Sequence, residues 1–221
     1  LIVSLDGPAQ IHNRVRRVAN AFELLASGVS RLRALREGYP VAARCTVQRL
    51  NCAHLAETVD SARRLGLDSI SFLAADIHST AFNRHTDFPV VLSGDRVALN
   101  IEEVRLLDEQ IEILEASGHC GRFVRESPAK LRRIAYHFRC YLGLAEPVAP
   151  ACNAPWNSAV IETDGSVKPC FFHPSVGFLA DGTSLRQVLN GPEAMLFRAE
   201  LNVAENAVCR RCVCALNWRA A

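Results

Sequence analysis

Nine cysteines in 221 residues carry most of the chemistry visible in this sequence, and their spacing is uneven. Cys45, Cys52, Cys120 and Cys140 are scattered, whereas Cys152, Cys170, Cys209, Cys212 and Cys214 share the last 70 residues. Seventeen residues separate Cys152 from Cys170, and 38 more lead to the C-x-x-C pair Cys209 and Cys212. A C-x-x-C spacing lets both thiolates point to one side of a turn. Two ligands from one segment and two from a later one can therefore surround a single centre. Four thiolates suit tetrahedral zinc or a [4Fe–4S] cluster, and spacing alone does not choose between them. The expected ligands are Cys152, Cys170, Cys209 and Cys212. Cys214 either substitutes for Cys212 or is a buried thiol.

The rest of the composition narrows the setting. Lys plus Arg numbers 25 against 23 for Asp plus Glu, so the net charge of +2 is near neutral and nucleic acid is not expected as a partner. No apolar run approaches the ~18 residues of a membrane span. No export signal is visible, so a reducing, cytoplasmic location is expected, with thiols rather than disulfides.

The elements that must position these cysteines read as follows. Leu1–Leu5 is a strand that ends at the turn Asp6-Gly7-Pro8. Phe22, Leu25, Val29, Leu32 and Leu35 mark a helix face. Val41–Val47 is the next strand. Asn51 is placed to cap a helix with the face Leu55, Val59, Ala62 and Leu65, which Gly66 ends. Ser69–Ala74 is a third strand. This alternation predicts parallel βαβ units with functional residues beyond the strand ends, where Asp6, Gln48 and Asp76 lie. Residues 77–98 lack a period and read as a loop. Asn100 and Glu103 predict a capping box for a helix with the face Ile101, Val104, Leu107, Ile111 and Leu114. A basic helix is expected over Pro128–Leu142, with Arg132 and Arg133 on its solvated side. After the linker Pro147–Pro150, strands Ala159–Thr163 and Ser166–Cys170 flank the hairpin turn Asp164-Gly165. Short helices are expected near Leu185–Asn190 and Glu193–Leu201.

Cys152, twelve residues, Gly165, four residues and Cys170 fit the C-x(9–15)-G-x(4)-C opening of the SPASM and twitch domains. The surrounding text, CNAPWNSAVIETDGSVKPCFFHPSVG, then TSLRQVLNGPEAMLFRAEL, then CRRC, is similar as well. Those domains are C-terminal extensions of radical S-adenosylmethionine enzymes and bind auxiliary iron–sulfur clusters. A full SPASM domain has more cysteines in its second half than Cys209, Cys212 and Cys214, so the resemblance favours the shorter twitch type with one auxiliary cluster. SLDGPAQIHNRVR (Ser4 to Arg16) resembles the fourth barrel strand of the same superfamily, and residues 41–76 resemble the fifth and sixth. The C-x(3)-C-x(2)-C loop of the catalytic cluster is not in this sequence. With a non-Met start inside a strand, the reading is a fragment lacking its first three strands.

The resemblance implies an α/β fold: the C-terminal half of a partial (β/α)6 TIM-like barrel over residues 1–146, then a small α+β twitch-like domain with a β-hairpin over 147–221. It implies that Ser4 and Arg16 help hold S-adenosylmethionine, a hydroxyl and a guanidinium being suited to its oxygens and carboxylate. The implied intact protein is a radical S-adenosylmethionine oxidoreductase with a second [4Fe–4S] cluster, and the present chain alone is expected to be inactive. Its substrate would be a small metabolite or a peptide, and its electron partner a flavodoxin or ferredoxin. The rival from the residues themselves is a zinc-stabilised structural or peptide-binding module held by the same four cysteines. His173, three residues after Cys170, reads as packed or exposed rather than ligating. Cys45 and Cys52 read as buried thiols.

Overall fold

A computed structural model describes residues 1–79, 81, 96–180 and 182–218. Most of the loop expected over 77–98 lies outside these residues. The chain divides into two compact units, Leu1–Ile77 with Ser93–Glu146, and His78–Leu92 with Pro147–Ala221.

The first unit is a mixed α/β layer. Strands β1 (Ile2–Ser4), β2 (Ala42–Val47) and β3 (Ser69–Ala74) form a parallel sheet in that order. Alternation sets its buried face: Ala43, Cys45 and Val47 on β2 stand in register with Ile70, Phe72 and Ala74 on β3. Along the outer side of β3, Ile70 exchanges backbone hydrogen bonds with Phe123 and Arg125. No strand among the described residues pairs with the outer side of β1.

The crossovers are helical. Helix α1 (Ala9–Arg16) leads to α2 (Ala21–Leu35), and α3 (Leu55–Arg64) joins β2 to β3. Of the face expected on α2 only Val29 is buried, and Leu35 is 86% exposed. Leu25, Val29 and Leu32 instead line an open hollow of about 430 Å³ beside Leu1 and Val3 of the β1 edge. Helix α3 begins after His54, not at Asn51. Asn51 is fully buried and serves tertiary structure: its Oδ1 accepts from the Gln48 N–H, and its Nδ2 donates to the carbonyls of Asp6 and Thr46. Gly66 ends the helix in the left-handed conformation (φ 68°), which favours glycine there.

Helix α4 (Ile101–Ala116) carries the expected capping box between Asn100 and Glu103. Val104, Leu107, Ile111 and Leu114 are buried, while Ile101 in the first turn is half exposed. Helix α5 (Pro128–Tyr141) buries Leu131, Ile134, Ala135 and Phe138, and its Arg132 and Arg139 pair with Glu115 and Asp108 of α4. Among the described residues no helix is long and apolar enough to cross a membrane.

Glu126 is a buried carboxyl that accepts a hydrogen bond from the Phe72 N–H at 2.9 Å. Burial raises its pKa, against that hydrogen bond and the pull of Lys130 and Arg44. The folded state thus holds the proton more tightly than the unfolded chain. The stability this contributes is complete below the unfolded pKa of about 4.3 and is lost as pH rises through the folded value. Glu126→Gln, which keeps an acceptor and cannot ionise, should gain on the parent as pH is raised from 4 to 7 in urea unfolding. A difference that stays constant with pH would contradict this.

The second unit is built on a small antiparallel sheet, β4 (Val160–Ile161), β5 (Ser166–Lys168) and β6 (Gly177–Phe178). The expected hairpin is present but shorter, because Pro169 has no N–H to extend the ladder. Asp164 Oδ1 accepts from the Ser166 N–H, and Gly165 takes a positive φ of 85° in the turn. A side chain at Gly165 would also stand 3.1 Å from the Leu179 carbonyl oxygen, so the motif glycine answers both torsion and space. Helices α6 (Ala154–Asn157), α7 (Leu185–Leu189), α8 (Pro192–Glu200) and α9 (Ala207–Arg210) complete the unit.

Candidate metal centre

Each of the four expected ligands is placed by a short, separately anchored segment. Cys152 precedes α6. Its neighbour Asn153 is fastened to the end of the described chain: Asn153 N donates to the Leu216 carbonyl at 2.7 Å, and the Trp218 N–H donates to Asn153 Oδ1 at 2.9 Å. That pairing lays the segment after Cys214 beside Cys152. Cys170 sits just beyond β5, where the hairpin delivers it. Cys209 lies in α9, whose cap Asn206 accepts from the N–H groups of Val208 and Cys209. A turn from Cys209 O to Cys212 N (3.1 Å) then brings Cys212 round.

All nine cysteines are free thiols, and their environments sort them into two groups. Burial, followed by the charges of Cys170 and Cys152, pushes the Cys209 thiol up to about 11. Cys212 is pushed up to about 12 by burial, with Cys214, Cys170 and Cys152 adding to it and the Cys214 N–H opposing. Cys170 is raised by burial and by Cys152, while the N–H groups of Phe172 and His173 hydrogen-bond its sulfur and lower it. Cys152 therefore acts on Cys170, Cys209 and Cys212, and Cys170 acts on Cys209 and Cys212. The scattered cysteines differ: Cys45, Cys52, Cys120 and Cys140 are raised chiefly by burial, and none has another cysteine among its causes.

Cys170, Cys209 and Cys212, raised chiefly by burial, hold their protons in the absence of a cation, and a metal or cluster must displace those protons as it binds. The donor set fits an all-thiolate cluster in kind and number. Among the described residues no group of three or more Cys, His, Asp and Glu side chains stands close enough to hold a single metal ion.

The sequence reads His173 as packed or exposed, and the structure packs it against one of these sulfurs. His173 is buried, and its Nε2 lies 3.4 Å from Cys209 Sγ. Its spacing from Cys170 was the only signal, and the contact spans 36 residues.

Residues 152–213 match the SPASM family, described as an iron–sulfur cluster-binding domain. The C-terminal unit is SPASM-like. Two solved structures that the chain resembles are native anSMEcpe with bound AdoMet and Kp18Cys peptide (TM-score 0.51, 15% identity, 89% of this chain and 52% of that one) and native anSMEcpe with bound AdoMet (0.53, 14%, 89% and 51%). At that identity the likeness speaks for the fold, and the chain spans about half the length of these structures. No curated protein matches the chain. The family match thus bears on residues 152–213, and the structural likeness on the fold of the rest of the chain.

The expected S-adenosylmethionine residues lie in the first unit. Ser4 is exposed, in register with Arg44. Arg16 is drawn onto Asp6, its Nη2 at 2.6 Å from Asp6 Oδ2, an oxygen that accepts no hydrogen bond of normal geometry. Asp6 is buried beyond β1 and also accepts from the Thr46 N–H. Its own N–H donates to Nδ1 of buried His12, which fixes the neutral His12 tautomer with the proton on Nε2. The SLDGP…H…R segment is thus tied together by its own side chains, with Asn51 and Asp6 joining the ends of β1 and β2.

Proposed function

We propose that the SPASM-like unit binds one auxiliary [4Fe–4S] cluster through Cys152, Cys170, Cys209 and Cys212, and that the intact protein is a radical S-adenosylmethionine oxidoreductase. What carries this reading is the match of residues 152–213, which hold all four cysteines, to an iron–sulfur cluster-binding domain; the charges of Cys152 and Cys170 acting on Cys209 and Cys212 support it. When bound, the cluster would accept an electron from a substrate radical or relay one onward to a flavodoxin or ferredoxin.

The residues of the chain do the rest. The half-buried sulfurs keep the cluster from bulk water while leaving it within reach of an electron partner. In the first unit, the parallel sheet is read as the later half of a partial barrel. Ser4 offers a hydroxyl at a strand end, and Arg16 offers a guanidinium to the methionine carboxylate. Asp6 orients that guanidinium through one Nη and leaves its other N–H groups for the ligand. The substrate is a peptide or a small metabolite; one anSMEcpe structure that resembles this chain holds a peptide.

The test is anaerobic reconstitution with iron and sulfide in competition with zinc. The expected product is brown, with broad visible absorbance and one cluster per chain. A colourless protein with one zinc per chain would replace this reading with a structural module.

A further inference from the structure

We propose that His173 donates a hydrogen bond from Nε2 to the Cys209 sulfur of the bound cluster and so raises the cluster's reduction potential. This rests on the cluster reading above and adds a residue to it.

Three observations place His173 in this role. Its Nε2 lies 3.4 Å from Cys209 Sγ, within reach of an N–H···S hydrogen bond. The imidazole is 6% exposed and stands edge-on to the Phe197 ring, with centroids 4.9 Å apart, so its orientation is held by packing. His173 also lies three residues after Cys170, so one short segment carries both an expected ligand and the donor.

The direction of the bond follows from the donor inventory. A ligating thiolate has no proton, so the nitrogen that faces it must carry one. Reducing the cluster by one electron from an external reductant adds negative charge, part of which rests on the sulfurs. A donor aimed at a sulfur stabilises the reduced form more than the oxidised form, and hydrogen bonds to sulfur are among the levers that set cluster potentials. In a partly buried site the hydrogen bond is weakly screened and its effect is larger.

The experiment is an electron paramagnetic resonance-monitored redox titration of the reconstituted full chain, with iron analysis, for the parent, His173→Gln and His173→Phe. Gln can present an amide N–H near the position of Nε2, and Phe cannot. The expected result is equal iron in all three, His173→Gln near the parent midpoint, and a more negative midpoint for His173→Phe. The expected size is about a tenfold change in the reduced-to-oxidised ratio at the parent midpoint, equivalent to about 59 mV for one electron. Iron lost from His173→Phe but kept by His173→Gln also supports the donor role. An unchanged midpoint in His173→Phe overturns it, as does an equal shift in both variants, which would mean packing. Iron lost from both would make His173 a ligand or a prop and likewise overturns it. A parent protein that takes up no iron overturns the cluster reading itself, and that failure is visible without any variant.

Discussion

Cys152→Ala, Cys170→Ala, Cys209→Ala and Cys212→Ala should each strip most of the iron from the reconstituted chain. Loss of partners outside the metal's own ligands typically costs 10–100-fold in affinity, and loss of a ligand should cost more than about tenfold. Each variant should therefore emerge from desalting with a bleached visible spectrum or a changed electron paramagnetic resonance signal. Cys45→Ala, Cys52→Ala, Cys120→Ala and Cys140→Ala should keep both iron and spectrum. These thiols are small hydrophobes in separate surroundings, and none is coupled to another cysteine. Cys214 discriminates within the site, because the Cys212 thiol donates to its carbonyl and the two cysteines are neighbours. If Cys214→Ala bleaches the protein and Cys212→Ala does not, the fourth ligand is Cys214. If all four named variants keep full iron, the constellation is wrong.

Asn51→Ala should destabilise the first unit by about 3 kcal/mol. Asn51 is fully buried, and its removal strands the Gln48 N–H and the carbonyls of Asp6 and Thr46. A buried polar group left unpaired costs about 1–3 kcal/mol, and partial hydration of the new cavity offsets some of the total for three. Urea unfolding followed by circular dichroism measures the loss. A change under 1 kcal/mol would mean that the joint between β1 and β2 does not depend on this side chain.

Features decided within a few residues were legible in the sequence. The capping box needs only Asn100 and Glu103, and the Asp164-Gly165 turn only its own dihedrals and one side-chain hydrogen bond. Strand β3 matches its expected limits Ser69–Ala74 because its apolar positions alternate against a buried face. Features decided by distant partners were not legible. Asn51 has the right type and place for a cap, yet the carbonyl of Asp6, 45 residues away, claims its amide. Leu35 keeps helical spacing on α2 but has nothing packed over it among the described residues. Strand β6 is two residues long and exists only because β5 offers it an edge. The same division runs through the site. Spacing named four cysteines, whereas the approach of His173 to Cys209 depends on how the segment after Cys170 folds back.

Mössbauer spectroscopy of the chain reconstituted with enriched iron, paired with sulfide analysis, tests the central claim most directly. The account predicts a four-iron, four-sulfide cluster in which every iron is tetrahedral with sulfur ligands, at one per chain. Iron present only as mononuclear or adventitious species, with the four cysteines still reactive toward a thiol reagent, would contradict it.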